Sequence, residues 1–330
     1  MRKGKFLASL FAVLACLAST VAGETSLWEY ASPAADVILY IDTKQPEKAM
    51  DKRLWERIRR DKERAIAEDP EGQFFDTKGR DLELIANLYL SSMSPFCGSI
   101  DGVANITGNL QGDISKVLAA LKENNGPQPQ ISKLGDTKFY DLSLPQTEQL
   151  PPADIMLVPI GSNQVQFRIN IAPKGKMVRR TLNASGGKVP LISGLRAREL
   201  AFACAAYAEK FAAAPLAETD NARELSGFLQ KLKTLCVSGY VDGRYMIVDA
   251  AFQFKAASDA AEFAGKAKPL LAQLLPAVGA KDVPKVVLTG ARLTISLKID
   301  IAVSWNLISR VTSARPAAGK GTPVKKKKSE

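Results

Sequence analysis

Apolar residues recur at every second position in several stretches of this chain, and that period narrows the folds open to it more than any other feature. Leu293, Ile295, Leu297, Ile299, Ile301 and Val303 alternate with Thr294, Ser296, Lys298, Asp300 and Ala302. Val165, Phe167, Ile169 and Ile171 alternate with Gln166, Arg168 and Asn170, and Leu84, Ala86, Leu88 and Leu90 with Ile85, Asn87 and Tyr89. Successive side chains of a strand point to opposite faces. Such segments therefore read as strands with one buried and one solvated face, the habit of antiparallel sheets.

Helical signals fall between the strands in a repeated order. A strand over Asp36 to Asp42 precedes a helix with Pro46 in its first turn, running to about Ala67. Its stripe of Met50, Leu54, Ile58 and Ala65 or Ile66 is surrounded by Lys52, Arg53, Arg57, Arg59, Arg60, Lys62 and Arg64. Strands over Leu84 to Ser91 and Ser99 to Thr107 follow. Asp113 then caps a helix carrying Ile114, Val117, Leu118 and Leu121, and Thr137 to Leu142 gives a fourth strand. In the middle, Asp154 to Pro159 and Val165 to Ile171 form a hairpin around Gly161-Ser162-Asn163, before a short helix over Lys176 to Asn183. Leu200 to Tyr207 has the alanines of a helix, but its place in the order argues for a strand. Thr219 or Asp220 caps a helix with Leu225, Phe228, Leu229 and Leu232 on one face. Asp242-Gly243 joins Cys236 to Val241 and Tyr245 to Phe254 as a hairpin. Ser258 caps a helix kinked at Pro269, and the strand from Leu293 to Val303 closes the series.

The β-α-β-β-α-β order thus occurs twice, which is the ferredoxin-like, split βαβ succession. The expectation is an α+β protein of two ferredoxin-like halves with antiparallel sheets, residues 24–145 and 197–312, joined by a hairpin and short helix over 146–196. Cys97-Gly-Ser-Ile-Asp101-Gly102 beside Cys236-Val-Ser-Gly-Tyr-Val-Asp242-Gly243 is a faint echo of duplication. In that topology a strand separates Cys204 from Cys236, and reach disfavours a disulfide between them. The succession from Ala34 to Asp42, then Gly79-Arg80-Asp81-Leu82, then Gly108-Asn109-Leu110 leading to Asp113, resembles a layout recurrent among uncharacterised exported bacterial proteins. The resemblance spans most of residues 33 to 305. It implies a duplicated α+β body and brings no catalytic or binding residues with it.

Residues 1–23 have the three parts of a cleaved secretory signal: Arg2, Lys3 and Lys5, an apolar run from Phe6 to Ala18, and small residues to Gly23. Val13-Leu14-Ala15-Cys16 also resembles a lipobox, in which Cys16 would be lipidated. No later run approaches a membrane span, so the mature chain is expected to be soluble, in the periplasm or outside the cell. Of the formal net charge of +11, the signal contributes three and residues 313–330 five, leaving the body nearly neutral. That Lys-rich tail has no apolar period and reads as a disordered arm. Lys325, Lys326, Lys327 and Lys328 could touch a polyanion, or serve solubility alone; specific nucleic-acid binding is not expected. Cys97, Cys204 and Cys236 remain after cleavage, and their apolar neighbours favour buried small hydrophobes.

The chain has no histidine, which removes Ser-His-Asp and Cys-His mechanisms and His-ligated metals. Ser185-Gly-Gly-Lys188 matches S-x-x-K without its supporting elements, and it is not a P-loop. Asp249, Lys298 and Asp300 fall on outer strand faces, where charges are routine. The basic helix with Trp55 could dock on an acidic surface, although Glu56, Asp61 and Glu63 argue for i,i+4 ion pairing. Asn105-Ile-Thr and Asn183-Ala-Ser fit the glycosylation pattern. No catalytic, cofactor or metal residue emerges, and no cofactor is expected. The expectation is an exported, non-catalytic envelope protein with a binding or scaffolding role. Its partner, an envelope protein or a polyanion, would sit on the open sheet faces or between the halves. The alternatives are an envelope hydrolase using carboxylate or Ser/Lys chemistry, and a polyanion binder acting through its tail.

Overall fold

The computed structural model describes residues 26–68, 81–91, 94–107, 114, 115, 119, 128–146, 151–171, 181–184, 189–193, 195, 199–212, 227–274, 280, 282 and 284–306. The strands are β1 (Val37–Asp42), β2 (Leu82–Ser91), β3 (Ser94–Ile106), β4 (Gln130–Leu134), β5 (Thr137–Leu144), β6 (Ala153–Ile160), β7 (Gln164–Ile171), β8 (Phe202–Tyr207), β9 (Leu232–Asp242), β10 (Tyr245–Phe254), β11 (Lys285–Thr289) and β12 (Arg292–Asp300), of which β4 and β11 are not among those expected from sequence. Helices among the described residues include α1 (Lys44–Ala49), α2 (Lys52–Glu68), α3 (Ala208–Ala212) and α4 (Ala257–Leu274), and residues 227–231 and 301–306 are also helical. The fold is α+β, mostly antiparallel sheet with few helices. Its strands form one 12-stranded sheet in the order β11-β12-β10-β9-β8-β1-β2-β3-β7-β6-β5-β4.

One sheet takes the place of the two expected, because β1 pairs antiparallel with β8 as well as with β2. A split βαβ unit would set another strand between β1 and β2. Here the excursion from β1 returns to the end it left: Thr43 donates its N–H to the Leu82 carbonyl at 2.8 Å and accepts from the Leu82 N–H on Oγ1 at 2.7 Å. Outward from the β1–β8 seam the two flanks nevertheless run in parallel ways. One reads β1-β2-β3 and ends on the hairpin β5-β4; the other reads β8-β9-β10 and ends on β12-β11. The β6–β7 hairpin, expected to connect the halves, lies within the first flank between β3 and β5.

Register assigns the faces. On one face stand Val37, Leu39 and Ile41 of β1, Leu84 and Ala86 of β2, Phe167 and Ile169 of β7, Phe202 and Cys204 of β8, Leu235 and Val237 of β9, Val248 and Ala250 of β10, and Ile295 and Leu297 of β12. This face is apolar across the sheet. Ile114 and α4 each cover one flank of it: Ile114 packs with Ala104, Phe167 and Ile169, while Ala260, Ala264 and Ala267 of α4 pack with Phe254, Leu293 and Ile295. The other face is more polar but has two apolar patches: Phe139, Met156 and Val158 on β5 and β6, and the seam, where 3₁₀ turns at Leu27–Tyr30 and Pro190–Ile192 bring Leu27 and Leu191 onto Ile38, Ile85 and Ala205.

Several boundaries differ from expectation. The first helix is broken at Met50, whose extended backbone bridges to Gly243, and Asp51 caps α2 by accepting from the Leu54 N–H at 3.1 Å. The closing strand stops at Asp300 instead of Val303; residues 301–306 are helical, with Asp300 Oδ1 accepting from the Ala302 N–H at 3.1 Å. Leu232 begins β9 rather than ending the helix before it, of which residues 227–231 are described. Of the short helix placed over Lys176 to Asn183, residues 181–183 are irregular and the rest lies outside the described residues. Cys204 and Cys236 stand on directly paired strands, not on separated ones, yet both thiols are free. Cys204 lies opposite Val237 and Cys236 opposite Ala205, so the side chains leave opposite faces of the sheet.

Candidate functional site

Several residues singled out from sequence lie outside the described ones: Cys16, Ser185, Lys188, and Lys325, Lys326, Lys327 and Lys328. Asp249, Lys298 and Asp300 do share the polar face, on the neighbouring strands β10 and β12, but they do not gather as an acid and a base. Asp300, 2% exposed, pairs with the Arg244 guanidinium. Lys298 Nζ sits 4.3 Å from the centre of the Tyr245 ring, and Asp249 lies in a row between Ser238 and Ser296. Asn105 is a β3 residue whose amide donates to Glu83 Oε2 at 3.2 Å. Arg57 with Asp61 and Arg59 with Glu63 make the expected i,i+4 pairs on α2.

Two polar clusters that sequence did not bring out stand on the polar face beside the seam. In the first, the Tyr40 hydroxyl donates to Glu83 Oε1 at 3.0 Å, with Trp28 stacked on the Tyr40 ring at 4.5 Å. Asp42 lies opposite Glu83 in register. Burial raises the Asp42 carboxyl above its usual range, and burial with the Glu83 carboxylate raises Tyr40. In the second, Asn87, 1% exposed, donates to the Tyr30 carbonyl at 2.9 Å and to Asp101 Oδ1 at 3.1 Å, and accepts from the Ser32 N–H at 2.8 Å. Arg168 stands 3.9 Å from Asp101. These bonds strap the 3₁₀ turn at Leu27–Tyr30 to the sheet. Neither cluster sets a nucleophile beside a base, and the described residues hold no group of three or more Cys, Asp or Glu able to bind a metal.

The apolar face offers a different kind of site. Between the parts covered by Ile114 and by α4, a strip across β1, β8, β9 and β10 carries Ile41, Phe202, Cys204, Val237 and Val248. None of these joins the described core clusters. Ile41 is 37% exposed and the other four are half-buried. Phe202 lies against Gly239, where a Cβ would overlap its ring, so the glycine lets the aromatic lie flat on the sheet. The strand period sends the polar partners of these residues to the opposite face, leaving the Cys204 sulfur as the strip's one side-chain heteroatom, its thiol pKa pushed up by burial. Such a surface can hold hydrocarbon and can hydrogen-bond very little.

No family model and no curated protein matches the chain. Among solved structures it is similar to crystal form III of TP0453, at 13% identity and a TM-score of 0.45, over 87% of this chain and 99% of that one. Crystal form IV of TP0453 is similar at 12% identity and a TM-score of 0.44, over 86% and 96%.

Proposed function

We propose that this is an exported, non-catalytic envelope protein that binds the hydrocarbon part of an amphiphile on the apolar strip of its sheet. The observation that carries the reading is the row of Ile41, Phe202, Cys204, Val237 and Val248, which is apolar, partly open and outside every described core cluster. A protein partner would meet many hydrogen-bonding groups; among the five strip residues the Cys204 sulfur is the one side-chain heteroatom. Export is supported by the three-part layout of residues 1–23. No helix among the described residues is long and apolar enough to cross a membrane. The matching succession of the two flanks supports a duplicated body, in which the seam strands β1 and β8 are equivalent.

The test uses a fluorescent long-chain fatty-acid analogue and the full chain. Val237→Asp sets a carboxylate in the strip and is expected to weaken probe binding at least tenfold, while Val287→Asp on the exposed edge strand leaves it unchanged. Bound probe is also expected to slow maleimide labelling of Cys204. Equal binding by both variants, with unchanged labelling, would overturn the reading.

A further inference from the structure

Among the described side chains, none on helix α2 belongs to a core cluster. Among the described residues its side chains meet those of residues 301–306: Trp305 Nε1 donates to Asp61 Oδ2 at 2.9 Å, and the Arg57 guanidinium to Asn306 Oδ1. Leu54 and Ile58, on the same side as Asp61, are half-buried. The described apolar residues of the helix that could sink into a bilayer, Leu54 and Ile58, are thus turned toward the protein's own chain.

About a quarter-turn round the helix from Leu54, Ile58 and Asp61 the residues have a different order. Arg53, Arg57, Arg60 and Arg64 follow one another at i, i+4, i+7 and i+11, and all four are exposed. At 3.6 residues per turn they fall within a wedge of about 60°, and at 1.5 Å per residue they span about 16 Å. The Arg59–Glu63 pair lies on another side of the helix; within the row Arg57 stands 4.0 Å from Asp61 and Arg60 donates to the Glu56 carbonyl, both arginines remaining exposed. Although α2 also contains Lys52 and Lys62, this row is arginine throughout. The planar guanidinium fork matches phosphate bidentately, which an ammonium cannot do.

We propose that this arginine row is a peripheral docking surface for anionic phospholipid headgroups. It holds the protein against a membrane by charge, without insertion. The choice of a lipid surface over a nucleic acid rests on the export reading above.

Flotation of the full-length protein with phosphatidylcholine vesicles, and with vesicles of two parts phosphatidylcholine to one of phosphatidylglycerol, tests it. The protein is expected to float with the anionic vesicles alone and to be released as salt rises. Arg53→Gln/Arg60→Gln/Arg64→Gln, which spares the Asn306 contact, is expected to lose about a hundredfold in affinity, roughly fivefold per arginine. The corresponding triple lysine variant recovers most of it, and glutamine at 325–328 leaves most of it in place. Undiminished flotation of the triple glutamine variant, loss confined to the tail variant, or tighter binding to duplex DNA than to the vesicles at equal salt would each overturn the proposal. Fatty-acid probe binding reports separately on the strip, so either reading can fail while the other stands.

Discussion

Asp42 illustrates how one side chain on the polar face answers to the packing around it. It lies opposite Glu83, next to the buried Tyr40, and its Oδ1 accepts from the Lys44 N–H at 2.7 Å to open α1. Burial favours the neutral carboxyl most strongly and Glu83 adds to it, while the Lys44 N–H and ammonium oppose. The native pKa is therefore raised above the ordinary 3.8. Between 3.8 and that raised value the folded protein holds a proton that the unfolded chain has released. Stability consequently falls as pH rises through this window and stays lower above it. Asp42→Asn keeps the acceptor for Lys44 and removes the charge. Thermal midpoints of this variant are expected to gain on the native protein as pH goes from about 4 to 7. Parallel profiles would mean that Asp42 ionises in the fold as easily as in water.

The elements divide by how much of their pattern comes from burial on one side. Central strands such as β2, β7 and β12 alternate because one face meets a core, and the hairpins at Gly161 and Gly243 are marked by turn residues that take φ of 63° and 60°. The edge strands β4 and β11 escape this logic. Ile131 and Leu134 are 60% and 63% exposed and Val287 and Leu288 both 43%, so no buried face writes a period into these five-residue segments. Their signals were the turn glycines 135 and 290, at φ of 61° and 57°. The end of β12 misled for another reason. Ile301 and Val303 continue the alternation, but Asp300 is a helix cap, and a cap outranks two apolar residues once Arg244 and Ser304 also engage it. Asp300→Ala is expected to cost about 1–3 kcal/mol. It should also raise amide exchange across 301–306 and α2 while β9 and β10 stay protected. Asp300→Asn, which keeps the cap acceptor, should restore most of that protection; unchanged exchange in Asp300→Ala would deny the cap its role.

At the scale of the molecule, alternation in single strands announces an apolar face, but its continuity across the sheet depends on register between strands far apart in sequence. The β1–β8 pairing is the decisive case: Leu39 meets Cys204 and Ile41 meets Phe202, which joins two flanks into one sheet and lays down the strip. Nothing local to either strand encodes that meeting, so two separate halves were the natural reading. The same geometry orders the stability of the parts. Trp28 stacks on Tyr40 above the seam, inside a cluster holding Ile38, Ile85 and Val103, whereas Trp55 and Trp305 belong to the corner where α2 is tied to 301–306. A helix held by a few partly exposed polar bonds opens at lower free energy than a sheet core. In a Trp28→Phe variant the remaining tryptophans are expected to report a fluorescence transition at lower denaturant than the far-ultraviolet dichroism of the sheet. The seam itself, buried on the polar face and paired on both sides, should melt with the sheet in one step. Coincident transitions would instead make α2 part of the sheet's cooperative unit, and its arginine row a rigid extension of the strip's own scaffold.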